Sequence, residues 1–459
     1  MAKSASQWVC TACGATPRGW FGKCPSCAAW NTIEERAPAG PVDRVVLSTT
    51  AATSAVAVTD VEQDVPRVVT GIGEVDRVLG GGLVPGSVVL LGGPPGIGKS
   101  TLLLQVGAAL ARGSGTVLYA SGEESLSQVG GRARRLGAGN ARLMLLAETR
   151  LESIADVARE LALSGELVAV VLDSVQTVYS SAQDGLPGNV SQIRAVAAAL
   201  VSFAKTQNVP VILVGHVTKD GQLAGPRLLE HMVDAVLSFE GDEDRATRLL
   251  RSSKNRFGST MELGVFEMSG DGLREIPNPS EAFLAERPQS VAGSCVTASL
   301  EGSRPLLLEV QALLTDSIGG SPRRNCVGVD AARLAMLMAV LQRHGHRDVL
   351  REDVFVNVAG GMRLFEPAAD LAVLLAVASS HSKRALPAGL VAIGEVGLTG
   401  EIRQVPRIEQ RLAEAARLGF EQALIAKPPR GRAKAIEAPS GIELILATNV
   451  EDALAAVGC

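Results

Sequence analysis

The residues best suited to chemistry lie in "LLGGPPGIGKST", where Gly93 is followed after four residues by Gly98, Lys99 and Ser100. Glycines at this spacing let successive backbone N–H groups turn toward one anion. An apolar run precedes the stretch, and the helical run "TLLLQVGAALARG" follows it. Bound phosphates would therefore sit at a helix N-terminus and its dipole. Gly93, Pro94, Pro95, Gly96, Ile97, Gly98, Lys99, Ser100 and Thr101 form the expected nucleotide cradle. Lys99 would reach the β- and γ-phosphates of ATP, and Ser100 would hold Mg²⁺. Asp173 ends the apolar strand "LVAVVLDS", where an acid can hold the Mg²⁺ shell through water. In "YASGEES" another strand ends near Glu123 and Glu124. Either could polarise an attacking water, or be only a charge stabilised by a helix N-terminus. His216 closes "VILVGH" and would sense the γ-phosphate or be an ordinary strand-end histidine.

A second constellation stands at the start of the chain. Cys10-x-x-Cys13 is followed ten residues later by Cys24-x-x-Cys27. Two such knuckles offer four thiolates to one tetrahedral Zn²⁺, with iron in the same site as the main alternative. Redox pairs or reduced thiols are the other readings. A segment of about 30 residues cannot build a core alone, so a metal would supply its folding energy. Cys295, Cys326 and Cys459 are isolated and are read as structural or incidental.

The elements that must position these groups follow from the apolar pattern. Residues 1–33 form the expected metal-binding segment, and 34–64, rich in Ala, Thr, Ser and Val, read as a linker. From 65 to 276, continuous apolar strands alternate with helical stretches. That pattern predicts an α/β fold with a mostly parallel sheet covered on both faces. Pro-rich punctuation marks a second linker at 277–290, and a second α/β pattern fills 291–459. The 459 residues carry a formal net charge of -4, and only 3% are aromatic. A nucleic-acid surface would have to be a local patch, and aromatic stacking could not be a major theme. The opening "MAKSASQWVCTACG" lacks an apolar secretory region, and no apolar run is long enough to span a membrane, so a cytoplasmic protein is expected.

"SSKNRFGST" lies some distance beyond these strands, and the expectation is that it follows the last strand of the core. Lys254 and Arg256 precede Gly258, which permits a sharp turn. The cations could be a solvated turn, could meet DNA phosphates, or could act on a neighbouring subunit's γ-phosphate like an arginine finger.

Taken together, "TGIGEVDRVLGGGLVPGSVVLLGGPPGIGKST", "YASGEES", "VVLDSVQT", "GHVTKDG" and "KNRFG" resemble the bacterial RadA (Sms) family of DNA repair and recombination ATPases. The four-cysteine segment fits the same family. The resemblance implies a RecA-like P-loop core with Asp173 as the Walker B acid and Glu123 as the catalytic glutamate. It implies a homo-hexameric ring on single-stranded or branched DNA, promoting branch migration alongside the RecA recombinase. Two polar, Gly-rich segments, "SAQDGLPGNVSQIR" and "TKDGQLAGPR", would face the DNA. Arg194, Lys219 and Arg227 are their candidate phosphate contacts, unless they are plain surface charges.

Residues 291–459 resemble the proteolytic domain of the Lon family. That domain uses a Ser nucleophile and a Lys base. Here "EPAAD" puts Ala368 at the serine position, and the lysine position falls at or near Glu409. Without a nucleophilic atom or an amine base, an ATP-driven protease is disfavoured, and a catalytically inactive, ring-forming scaffold is expected. "SPRRN" and "QRHGHRDVLRED" offer basic DNA contacts or solvated charge. A RecA-like signalling ATPase would share the core but explains neither the knuckles nor the C-terminal region.

Overall fold

The computed structural model describes residues 7–10, 17–25, 28–36, 66–113, 115–140, 142–216, 228–241, 246–317, 321–428 and 436–459. The chain divides into two compact units, Met1–Asp64 and Val65–Cys459.

In the first unit, the strands Gln7–Cys10 and Ile33–Arg36 pair antiparallel, with Cys10 opposite Ile33. Cys10, Cys24 and Ile33 form its small buried cluster, with Trp8 packed against it. Residues 34–36, expected to begin the linker, belong to this ribbon. The rest of the expected linker lies outside the described residues.

The second unit is built on two sheets. The first has nine strands. Six run parallel, in the order Ala235–Glu240, Val88–Gly93, Val211–His216, Leu167–Asp173, Thr116–Ser121 and Leu143–Ala147. Their apolar runs are buried on both faces, as the sequence pattern requires. The helices Lys99–Gly113 and Val190–Gln207 contribute to opposite cores. The strands Thr247–Asn255, Leu263–Ser269 and Gly272–Glu275 extend the sheet antiparallel beyond Ala235–Glu240. The cationic motif therefore does not follow the last core strand. Lys254 and Asn255 end one strand of the sheet, and two more strands follow.

The second sheet orders its strands Arg324–Val327, Glu352–Val358, Arg304–Asp316, Ser294–Glu301, Leu390–Ile393, Gln422–Ala426 and Glu443–Ala447. Across it lies the helix Asp370–Ser382, buried from Asp370 to Ser379. Between the sheets, Pro279–Leu284 forms a short helix whose Ser280 hydroxyl donates to Glu414 and accepts from Leu307 N. Leu263 and Val265 of the first sheet enter the apolar core of the second. Polar contacts reinforce the junction. Buried Glu74 accepts from Arg304 Nη1 at 2.8 Å and from Val265 N at 2.9 Å. Arg251 bridges Glu240 and Glu301. No helix among the described residues is long and apolar enough to cross a membrane.

Candidate active site

The phosphate loop leaves the carboxyl end of the Val88–Gly93 strand, at the centre of the sheet, and enters the Lys99–Gly113 helix. Gly96 has φ +77° and Gly98 φ +110°, backbone states that L side chains rarely adopt. A Cβ on Gly93 would lie 2.6 Å from Phe239 O, and one on Gly98 2.4 Å from Met268 Cε. Gly96 has nothing within 4 Å of that position, so the cradle is closed from below and open above. Lys99 is buried, and its ammonium donates to Gly93 O at 2.8 Å and Pro94 O at 2.9 Å. Burial lowers the Lys99 pKa, and the negative charges of Asp173 and Glu123 oppose that shift. An amine made costly by burial at a helix N-terminus gains most when phosphate oxygens arrive beside it.

The acids gather on neighbouring strand ends. Ser121 pairs in register with Asp173, which places the "GEES" turn beside the Leu167–Asp173 strand. Glu123 accepts from Ser174 Oγ at 2.5 Å. Glu124 turns elsewhere, into a 2.6 Å ion pair with Arg132. That difference separates two glutamates the sequence leaves ambiguous. Asp173 accepts from the phenol of Tyr119 at 2.6 Å. Burial and the Asp173 charge hold the Tyr119 pKa well above its usual value. The tyrosine thus stays a donor and orients the carboxylate.

His216 closes its strand in register with Gly93, so its backbone lies beside the phosphate loop. Arg248 reaches the loop from the antiparallel edge, donating from Nε to Ile97 O at 3.2 Å. Tyr119, Ser174 and Arg248 were not singled out from the sequence. One of only two tyrosines, inside an otherwise apolar strand, was an available signal. Arg248 had none, because arginines surround it in "DRATRLLRSS".

The cationic motif lies elsewhere. Asp234 accepts from Val88 N, at the amino end of the central strand, and from Arg256 Nη1 at 3.0 Å. Lys254 donates to Glu230 O at 2.6 Å and Val233 O at 2.7 Å, around the C-terminal end of the helix Leu228–Met232. Burial, and then the neighbouring Arg256 charge, lower its pKa. Arg256 is 53% exposed. Six residues of strand separate this corner from the phosphate loop, roughly 17–20 Å at the usual rise. Within one subunit Lys254 and Arg256 are not brought to Lys99.

Arg194 is exposed near the start of the helix Val190–Gln207 rather than in the preceding loop. Gln192 is buried and holds that loop, donating to Ser180 O and accepting from Ser180 N. Lys219 and Arg227 lie outside the described residues, as do Cys13 and Cys27. Cys10 and Cys24 are buried, and Ala28 N and Ala29 O close a backbone turn on Cys24, which suits a metal knuckle.

Residues 57–222 match the AAA domain family, and residues 8–35 match the rubredoxin metal binding domain. The chain is 49% identical over 459 residues to the DNA repair protein RadA of Bacillus subtilis, covering 99% of each chain. It is 49% identical to that of Pseudomonas aeruginosa, covering 100% of each, and 47% identical to that of Escherichia coli, covering 99% of each. The chain belongs to the RadA family. Among solved structures, the ATPase domain of G40P is 17% identical, with TM-score 0.40, over 48% of this chain and 94% of that one. Membership in the RadA family, together with the nucleotide cradle, makes this an ATP-hydrolysing enzyme of DNA repair and recombination. Its α/β core with an N-terminal metal ribbon is the architecture the sequence predicted.

The Lon-like region bears on the expected scaffold. Ala368 is buried in the short turn Pro367–Ala369, ahead of the helix Asp370–Ser382. Glu409, at the expected lysine position, is exposed on the helix Ile408–Arg417. Beside Leu412 and Ala415, that helix also turns Arg411 inward, 1% exposed, which pairs Nη1 and Nη2 with both oxygens of Glu366 at 2.6 and 2.7 Å. A guanidinium stays protonated and cannot serve as the base.

Proposed function

We propose that this enzyme works as a homo-hexameric ring motor in which Arg256 completes the nucleotide site of the neighbouring subunit. The supporting observation is the separation within one subunit: Arg256 is exposed at the amino end of the strand whose carboxyl end carries the phosphate loop. A half-exposed guanidinium far from its own cradle can be offered to another subunit's γ-phosphate, where planar, multidentate contact suits arginine. Lys254 has a different role in this reading. It is held by carbonyls at the end of the helix that follows residues 217–227, so it links the corner bearing Arg256 to that segment. A nucleotide-dependent shift of Arg256 would then move the DNA-facing segment.

In the same reading Gly93 to Thr101 cradle ATP, and Ser100 and Asp173 hold Mg²⁺. With the nucleotide bound, the metal neutralises charge on the transferred phosphoryl group. Glu123 orients and deprotonates the attacking water, while Ser174 fixes the carboxylate and Tyr119 fixes Asp173. His216, beside Gly93, senses the γ-phosphate. Cys10, Cys13, Cys24 and Cys27 hold a structural Zn²⁺. The substrate is single-stranded or branched DNA, contacted by Arg194, Lys219 and Arg227, and hydrolysis drives branch migration alongside RecA in the cytoplasm. The C-terminal region, its protease site occupied by the Glu366–Arg411 pair, serves as an inactive scaffold of the ring.

Mixed assemblies test the central point. Arg256→Ala and Lys99→Ala should each abolish ATP hydrolysis alone. In an equal random mixture about a quarter of interfaces join an intact Lys99 to an intact Arg256, and ATPase activity should return in that proportion. Normal hydrolysis by Arg256→Ala alone would overturn the assignment. Normal basal hydrolysis with lost DNA stimulation would move Arg256 to the DNA.

A further inference from the structure

All three tryptophans of the chain stand in its first 30 residues. Trp8 packs against the ribbon's buried cluster. The other two do not serve a core: Trp20 is 60% exposed and Trp30 69%, with Phe21 between them in sequence at 49%. Burying a tryptophan is among the largest apolar gains available to a small module, so leaving two of them in water calls for another explanation. They are also close together. A Cβ placed on Gly22 would lie 3.8 Å from Trp20 Cη2 and 3.9 Å from Trp30 Cζ3, so both rings border the same glycine. The bridge between Lys23 and Trp30, and the bond from Asn31 N to Gly22 O, hold the two segments in register.

Cations stand near these rings. Arg18 and Lys23 are exposed, and Lys23 Nζ lies 5.6 Å from the centre of the Trp30 ring. No acidic residue precedes Glu34, in a chain whose net charge is -4. Cys10 and Cys24 are buried, whereas Arg18 and Lys23 are exposed. Exposed aromatic faces with flanking cations match a ligand that has flat π-surfaces and a polyanionic backbone. Duplex DNA hides its base faces; unpaired DNA presents them.

We infer that the ribbon carries a stacking site for unpaired DNA bases, formed by Trp20, Phe21 and Trp30, with Arg18 and Lys23 meeting the adjoining phosphates. The site rests on the reading that this enzyme acts on DNA, and it adds a contact outside the ATPase core. The ribbon can thereby hold a single strand while the core loops release and rebind it.

The placement of the tryptophans supplies the assay, since intrinsic tryptophan emission reports on the ribbon alone. Full-length, metal-loaded protein is titrated with oligo-dT, and binding is followed separately by anisotropy of a label on the oligonucleotide. Stacking should quench tryptophan emission in step with the anisotropy, and a duplex of equal length should not quench. Trp20→Ala and Trp30→Ala should each weaken oligo-dT binding about fivefold to 150-fold, the range of one base–aromatic stack. Trp20→Tyr, which keeps a ring, should recover most of the affinity. If Trp20→Ala loses metal, the Tyr variant with Arg18→Ala and Lys23→Ala carries the test. Each cation removed should reduce the salt dependence of log K by about 0.7. Saturating anisotropy with unchanged emission, or unchanged affinity in the ring and charge variants, overturns the stacking site. Absence of any wild-type anisotropy change overturns the DNA reading itself. Normal oligo-dT binding by the variants with lost response to a recombinase filament would assign the aromatic face to a protein partner.

Discussion

Arg411→Ala tests how the Glu366–Arg411 pair holds the C-terminal region. Arg411 is 1% exposed and donates to both oxygens of Glu366, to Ala298 O at 2.5 Å and to Pro406 O at 3.2 Å. Removing it leaves a carboxylate facing the space the guanidinium filled. Breaking a buried pair in this way costs about 3–5 kcal/mol. The Glu366 side chain is 24% exposed and keeps its bond from Leu300 N, so partial rehydration favours the lower end, about 3 kcal/mol. Val65–Cys459 is one compact unit. At roughly 2.1 cal/mol/K per residue its unfolding entropy is about 0.8 kcal/mol/K, so the midpoint should fall by about 4 °C. Differential scanning calorimetry of the full chain measures it. Glu409→Ala, exposed on the same helix, should leave the midpoint unchanged, and the double variant Glu366→Gln with Arg411→Met should recover part of the loss, since it leaves no uncompensated charge while the amide oxygen can still accept from Leu300 N. A shift below about 1 °C for Arg411→Ala, or an equal shift for Glu409→Ala, would refute the inward-facing ion pair as a structural element.

Lys99→Ala should abolish hydrolysis and most nucleotide affinity in a binding titration. Glu123→Gln should bind ATP yet hydrolyse it about 10²–10⁴-fold more slowly, while Glu124→Gln, which only disturbs the Arg132 pair, stays within a few-fold of wild type in a phosphate-release assay. Tyr119→Phe keeps the ring but leaves Asp173 without its phenol donor, and a raised Mg²⁺ requirement in the same assay is the expected result. Metal analysis should find one zinc per chain and clear loss of it in Cys24→Ser; full occupancy in that variant would remove Cys24 from the ligand set. Purified protein with ATP and unfolded casein should release no peptides, because Ala368 has no nucleophilic atom and Arg411 no basic one.

Much of this enzyme was legible in its sequence because the relevant physics is local. Gly93, Gly96 and Gly98 carry phosphate-loop geometry in their lack of a side chain, and the loop lies between a strand and a helix as the apolar pattern requires. Paired Cys-x-x-Cys spacings announce a metal ribbon, and continuous apolar strands announce a sheet covered on both faces. Relations between distant segments were decided only by tertiary structure. Glu123 and Glu124 are adjacent and chemically alike, and what separates them is whether Ser174 or Arg132 lies within reach. Glu409 and Arg411 share a helix, and the rotation of that helix against the sheet turned the arginine inward. A 3% aromatic content argued against stacking, but a composition averages over the chain and cannot show that two exposed tryptophans, Trp20 and Trp30, border the same glycine. For "KNRFG" the sequence supplied the cations. Their position followed from an antiparallel strand that runs from the carboxyl end of the sheet back to its amino end, carrying Arg256 away from its own nucleotide cradle and out to solvent.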